Sequence, residues 1–279
     1  NGTTNASNPS PTPAYTAAPG GNNGYKMIEV DTTNGTGCTC VINASSEIWC
    51  AGKNNVGQLG IGAAGADQST PVREATGASN WSKLVVEQNH SCAINTLGEL
   101  YCWGQNTDGR IGDGTTTDRP SPTRVGVETD WIALGAANFS TCGLRGSGVA
   151  WCWGANGAGQ VGIGNSITPQ LTPQLVVGGI TDWTMVKGNN GHYCGLRSTG
   201  QAYCWGNNVN SMARGDGTTV PTTSPIQIAG NFTDWTYIVA GFDSTCGIRS
   251  GRMYCWGNRT NYGVPDGGGI VGNQLTPIE

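Results

Sequence analysis

Charge is scarce in this chain. Asp, Glu, Lys and Arg make up 11% of its 279 residues, against roughly a quarter in an ordinary globular domain. The net charge is −4, and the 14 Lys and Arg form no basic run. Nucleic-acid sites show clustered basic residues, so no nucleic-acid partner is expected. No apolar run reaches the ~18 residues of a membrane-spanning helix. No window of about eleven residues keeps apolar side chains at helical spacing. Only two histidines are present, and no Ser, His and Asp set stands out. The chain is therefore expected to be non-enzymatic and to hold no cofactor. Residue 1 is Asn and no signal peptide is visible, as expected of a mature or processed product.

The first 24 residues lack charge altogether. Residues 1–24 are Asn, Thr, Ser, Pro, Gly and Ala with one tyrosine, Tyr15. Such a composition cannot build a packed core. It reads as a flexible linker or stalk, with a Ser/Thr/Pro cluster suited to O-glycosylation.

Cysteine, by contrast, is plentiful and regular. Five pairs stand nine or ten positions apart: Cys40 and Cys50, Cys92 and Cys102, Cys142 and Cys152, Cys194 and Cys204, Cys246 and Cys255. Their first members step along the chain by 50 or 52 residues. Trp81, Trp131, Trp183 and Trp235 keep the same beat, as do Pro71, Pro122, Pro173, Pro225 and Pro277. Fixed periods of this length mark a tandem array of one supersecondary unit. Within a unit, runs such as Tyr193-Cys-Gly-Leu-Arg and Ala202-Tyr-Cys-Trp flank the turn Ser198-Thr-Gly200. Short runs bounded by Gly, Pro, Asn and Asp are strands. About four strands in each ~50-residue unit make a β-propeller the economical all-β fold.

A spacing of ten puts both cysteines on one face of a hairpin, at facing positions within disulfide range. Each bridge closes a loop of roughly ten residues, worth about 2–3 kcal/mol in the chain-entropy model. Zinc sites want closer spacing and four converging ligands. Five bridges imply an oxidising, extracellular or cell-surface setting.

The pattern Cys-x9-Cys-Trp-Gly-x-Asn-x-x-Gly-Gln-x-Gly-x-Gly, followed by Pro-x-x-Val and Trp, resembles the repeat of the regulator of chromosome condensation family. The resemblance covers about residues 25–279 and implies a propeller, usually of seven blades. The family includes a nuclear nucleotide-exchange factor and a secreted bacterial β-lactamase inhibitor. The cysteine-bearing repeats resemble the extracellular bacterial branch more. Only five units are present here. The strand-like Tyr25–Val30 at the start and Leu275–Glu279 at the end complement each other in phase, so closure into a five-unit ring is expected over an open array.

Several residues stand apart. Eleven cysteines leave Cys38 over, and an odd cysteine in a secreted protein suggests an intermolecular bond or a free thiol. Cys38 holds the slot of His90, Ser140, His192 and Ser244, two before the first cysteine of each pair. That slot is read as hydrogen-bonded and structural, with a metal on Cys38, His90 and His192 the lesser alternative. Gly60-Ile-Gly-Ala-Ala-Gly65 matches the dinucleotide fingerprint, but without a βαβ unit it is a turn. Acidic loops such as Asp113–Asp118 and Asp216-Gly217 offer at most weak calcium sites. Nine sequons, at Asn1, Asn5, Asn34, Asn43, Asn80, Asn89, Asn138, Asn231 and Asn258, are N-glycosylation candidates. Tyr262, Phe139 and Phe242 are candidate contact residues. Two functions compete: an extracellular binding or structural module on a cell surface or filament, contacting proteins, glycans or its own copies, and a secreted inhibitor of an enzyme.

Overall fold

A computed structural model describes residues 24–31, 37–209, 213–258 and 273–279. Twenty strands follow one another with no helix among the described residues. The first sheet holds β1 (Tyr25–Val30), β2 (Cys38–Asn43), β3 (Ile48–Gly52) and β4 (Gln68–Arg73). The second holds β5 (Trp81–Glu87), β6 (His90–Asn95), β7 (Leu100–Gly104) and β8 (Arg119–Arg124). The third holds β9 (Trp131–Ala137), β10 (Ser140–Arg145), β11 (Val149–Gly154) and β12 (Gln170–Leu175). The fourth holds β13 (Trp183–Asn189), β14 (His192–Arg197), β15 (Ala202–Gly206) and β16 (Thr222–Gln227). The fifth holds β17 (Trp235–Ala240), β18 (Ser244–Arg249), β19 (Arg252–Gly257) and β20 (Gln274–Ile278).

Each sheet is a meander in chain order, and so one propeller blade. Its last strand carries the recurring proline, because a residue with no N–H is tolerated on an edge. The two middle strands set the paired cysteines directly opposite each other. Five bridges form there: Cys40 to Cys50, Cys92 to Cys102, Cys142 to Cys152, Cys194 to Cys204 and Cys246 to Cys255. Their Cα atoms lie 4.0–4.1 Å apart. Cys246 and Cys255 are spaced nine rather than ten because their hairpin is tighter. There Arg249 pairs with Arg252 across Ser250 and Gly251, both at positive φ, the signature of a two-residue type I′ turn.

The core lies between blades, in four layers. Cys40, Ile42 and Ile48 of the first blade meet Trp81, Leu84 and Trp103 of the second. Cys92, Cys102, Ile94 and Leu100 meet Trp131, Leu134 and Trp153. Leu144 and Cys152 meet Trp183, Val186 and Trp205. Leu196 and Cys204 meet Trp235, Ile238 and Trp256. A second device locks each junction. The tryptophan of a Cys-Trp-Gly site donates its indole N–H to a backbone carbonyl in the preceding blade's loop: Trp103 to Gln58 (3.0 Å), Trp153 to Arg110 (2.9 Å), Trp205 to Gln160 (3.0 Å) and Trp256 to Ala213 (2.8 Å). A glycine makes room for each ring. A Cβ on Gly112, where φ is +83°, would stand 2.5 Å from Trp153 Nε1.

The expected closure into a five-bladed ring is not what the chain builds. Five blades share four buried layers, and the described strands of the fifth and first blades form no comparable interface. Ile28 is 58% exposed where its counterpart Leu84 is 2% exposed. Ile248 is 40% exposed against 1% for Ile94, and Met253 is 55% exposed against 0% for Leu100. The first blade also has Cys50-Ala51-Gly52 where the others have Cys-Trp-Gly, and no described loop precedes it to receive an indole. The blades form an open arc, and the phase match between the first and last strands does not bring them together.

Candidate interaction surfaces

In the first four blades the loop after the third strand is organised by one asparagine. Asn54, Asn106, Asn156 and Asn208 each accept a backbone N–H five or six residues on, from Leu59, Ile111, Val161 and Arg214. Their amide groups donate to Ala63, Thr115, Asn165 and Thr218 carbonyls. This is the physical role of the asparagine in the repeat motif: a short amide satisfies both sides of a loop the ladder cannot reach. The same chemistry uses up the acidic loops. The Asp113 carboxylate accepts from Thr115, Asn106 and Arg119, and Asp118 accepts from the Asn106 backbone. Asp216 is held by Arg214 and Thr218. Those oxygens are spent on the loop rather than presented to a cation. Gly60 and Gly62 likewise sit in the turn that bonds to Pro120 of the next blade.

In the second, third and fourth blades the slot before the cysteine pair joins neighbouring blades. His90 Nε2 lies 2.9 Å from Thr141 Oγ1, and His192 Nε2 lies 3.0 Å from Thr245 Oγ1. Both threonine hydroxyls donate to carbonyls, of Arg110 and Ala213. Each has one proton, so each histidine must be the donor, which fixes the neutral Nε2–H tautomer. Burial, aided by Arg110, lowers the pKa of His90 to about 3. Burial, aided by Arg214, lowers that of His192 to about 4. In the intervening blade the sizes reverse, with Ser140 Oγ 3.1 Å from Tyr193 Oη. Among the described residues no three His, Cys, Asp or Glu side chains come together to hold a metal.

Cys38 completes this set in the first blade. It is free and buried, and burial, with Asp31 nearby, pushes its thiol up to about 12. Thiolate chemistry is suppressed at such a site. Nearer the axis, burial also raises Glu87 and Glu29, while Lys187 of the fourth blade pulls Glu29 back down.

Among the described residues, three surfaces are candidates for contact. Phe139 and Phe242 stand on the turns between the first two strands of the third and fifth blades, 44% and 41% exposed. Phe139 rests on the buried Arg110 guanidinium, 4.9 Å from its ring centre, and Arg110 is fixed by the Asn138 carbonyl (2.7 Å) and Asp108. The open ends of the arc are the second surface, with Tyr25, Ile28 and Val30 at one end and Ile248 and Met253 at the other. The third is a cavity of about 300 Å³ at the junction of the second and third blades, between Trp131, Trp151, Arg124 and Arg145.

The sequons are unequally placed. Asn231 is exposed, at φ +50°. Asn80, Asn89 and Asn258 are half-buried. Asn43 is bonded both ways to Glu47, and Asn138 is buried. Asn1, Asn5, Asn34 and Tyr262 lie outside the described residues, as do residues 1–23 of the expected linker.

Comparison with known proteins agrees with this geometry. A family model described as the regulator of chromosome condensation (RCC1) repeat matches residues 88–110 and 186–211. The ultraviolet-B receptor UVR8 of Arabidopsis thaliana is 27% identical over 230 residues, covering 79% of this chain and 51% of the receptor. Human WBSCR16 superposes with a TM-score of 0.75 at 19% identity, over 86% of this chain and 64% of that one. The ectodomain of the Physcomitrella patens receptor kinase CR4 superposes with a TM-score of 0.53 at 19% identity, over 84% of this chain and 53% of that one. The chain spans between 2% and 51% of the length of the curated relatives it matches. With its five four-stranded blades and recurring Cys-Trp-Gly sites, the chain has the fold of regulator of chromosome condensation-like propellers and matches that family's repeat at residues 88–110 and 186–211.

Proposed function

We propose that this chain is an extracellular, non-enzymatic protein-binding module whose open ends join it head to tail to further copies of itself. The carrying observation is the pair of uncovered end faces. Tyr25, Ile28 and Val30 hold the positions of Trp81, Leu84 and Val86, all buried in the second blade. Ile248 and Met253 hold positions buried in the first four blades. The two faces are the two halves of an interface the chain already makes four times. Each fully buried apolar side chain of this size contributes roughly 1.5–3 kcal/mol. One copy carries one of each half, so the contact is heterologous and propagates into a ring or a filament. Five disulfides support an oxidising setting, and the CR4 ectodomain gives the fold a precedent outside a cell.

Sedimentation velocity across a concentration series tests the assembly, with electron microscopy of the concentrated sample. Mass should rise with concentration, and Ile28→Glu or Met253→Glu should each hold the chain monomeric. A monomer at every concentration, unaltered by either substitution, would remove the self-assembly reading. A second reading, an inhibitor that presents an aromatic rim to an enzyme, draws on Phe139 and its fixed Arg110 support. It requires a monomer that loses its target on Phe139→Ala.

A further inference from the structure

At the cavity between the second and third blades, two indole donors lack the acceptors that their counterparts have in the first two blades. At the first junction, Trp81 donates its indole N–H to the Glu74 carboxylate at 3.2 Å. In the first and second blades, Trp49 Nε1 donates to Glu47 (3.1 Å) and Tyr101 Oη to Glu99 (3.2 Å). The junction of the second and third blades has the donors and neither acceptor. Val125 stands in the place of Glu74, as Val176 and Ile228 do in later blades, and Val149 stands in the place of Glu47 and Glu99. Trp131 Nε1 and Trp151 Nε1 are consequently buried with no hydrogen-bond partner. Trp131 itself is 3% exposed. An unmade hydrogen bond at a buried donor costs about 1–3 kcal/mol, and here both indoles belong to residues that line one cavity.

Two arginines complete the walls. The Arg145 guanidinium lies 5.5 Å from the Trp131 ring centre and 5.2 Å from that of Trp151. It is held by Asp130 at 2.7 Å and more loosely by Glu128 at 3.3 Å. Arg124 is paired with Glu99 at 3.0 Å. Asp113 and Glu128 also line the cavity, but their carboxylates are paired with Arg119 and Arg145, so the partner the two indoles lack is a further acceptor, and the first two blades show which kind. Glu74 and Glu47 put carboxylates on the matching indoles.

We propose that this cavity binds a carboxylate supplied from outside the chain, either a small aliphatic acid or the acidic end of a partner polypeptide. The cavity measures about 300 Å³. That is room for a short acyl chain or one side chain, and not for a folded element. Both indole nitrogens lie beneath the surface, so the ligand enters by displacing Glu128 from Arg145, the longer of the two contacts on that guanidinium. Arg145 then bridges Asp130 and the ligand, and the indole N–H groups donate to its oxygens. This site is independent of the end faces and stands or falls without them.

Propionate and a tetraglutamate peptide are the probes, titrated into the oxidised protein while the indole N–H resonances are followed by NMR. Trp131→Phe and Trp151→Phe assign the two signals. Both should move and saturate, with Kd on the order of millimolar for so small a contact. Saturation by propionate identifies a small-acid site, and saturation by the peptide alone identifies a polypeptide partner. Glu128→Gln should tighten binding several-fold by removing the competitor. Val125→Glu and, separately, Val149→Glu should supply the acceptor from within, weaken binding at least about tenfold and leave the unfolding midpoint undiminished. Two unmoved indole signals with both probes would overturn the proposal. So would saturation that neither valine substitution weakens.

Discussion

Acid should weaken this fold through its two buried histidines before most carboxylates titrate. Both are neutral donors to threonine hydroxyls, and His90 Nδ1 is buried with no partner. Protonation would place a charged N–H where nothing accepts it. The folded pKa values, about 3 for His90 and about 4 for His192, lie below the ordinary 6.5. The unfolded chain therefore binds protons first as pH falls. The stabilising contribution is complete above about pH 6.5 and is lost progressively toward the folded values. Each pH unit in that window costs about 1.4 kcal/mol per histidine. Two histidines cost about 4 kcal/mol between pH 6.5 and 5, a large part of the 5–15 kcal/mol typical of a domain. Guanidinium unfolding at pH 7.5 and 5, with the disulfides intact, measures it. His90→Ser and His192→Ser are apt controls, because Ser140 and Ser244 fill the same slot in the other blades. Each removes a side chain and lowers stability at both pH values, but the difference between the two should shrink by about half per substitution. Carboxylates titrate in both proteins and cancel. If wild type and double variant lose the same stability between the two pH values, the assignment of neutral, buried imidazoles is wrong.

Three further outcomes follow from the packing. Gly112→Ala should destabilise by roughly 2 kcal/mol or more, since its Cβ meets Trp153 at 2.5 Å on a backbone that disfavours side chains; thermal unfolding reads it, and an unchanged midpoint would refute the indole seat. Cys38 should resist a maleimide reagent in the native protein and react on denaturation, as seen by mass spectrometry. Rapid native labelling, or a disulfide-linked dimer on non-reducing electrophoresis, would contradict a buried thiol. Replacing Cys142 and Cys152 together with alanine should cost about 2–3 kcal/mol while the other four bridges keep the fold; denaturant unfolding reads the loss, and an unaltered midpoint would count against a stapling role.

The repeat was legible because its landmarks are chemical necessities at fixed spacing. Two cysteines that must face each other in a hairpin, as Cys92 and Cys102 do, leave traces in any one copy. So do a proline on an edge strand and a glycine under an indole. Five copies remove the chance. Even the shorter spacing of Cys246 and Cys255 kept the pairing readable, because a two-residue turn preserves the facing positions. The roles of the motif asparagine and the indole were not legible. Asn106 and Trp153 act on backbone groups, Asn106 within its own loop and Trp153 on Arg110, 43 positions earlier, and a carbonyl leaves no mark on sequence. The cavity was hidden for a related reason. Val125, just past the end of its strand, and Val149, at the start of its own, are ordinary apolar residues, and become telling only once Glu74 and Glu47 are seen bonding to indoles.

The sequence by itself determined the unit: four strands, one bridge and a turn-rich loop, because those depend on contacts within about 50 residues. Closure it left open, and there the expectation from matching ends was wrong. Whether an array shuts on itself depends on the angle each blade adds, which comes from side chains packing between sheets, and on whether the last face reaches the first. Only the tertiary structure could decide that, and it left Ile28, Ile248 and Met253 uncovered.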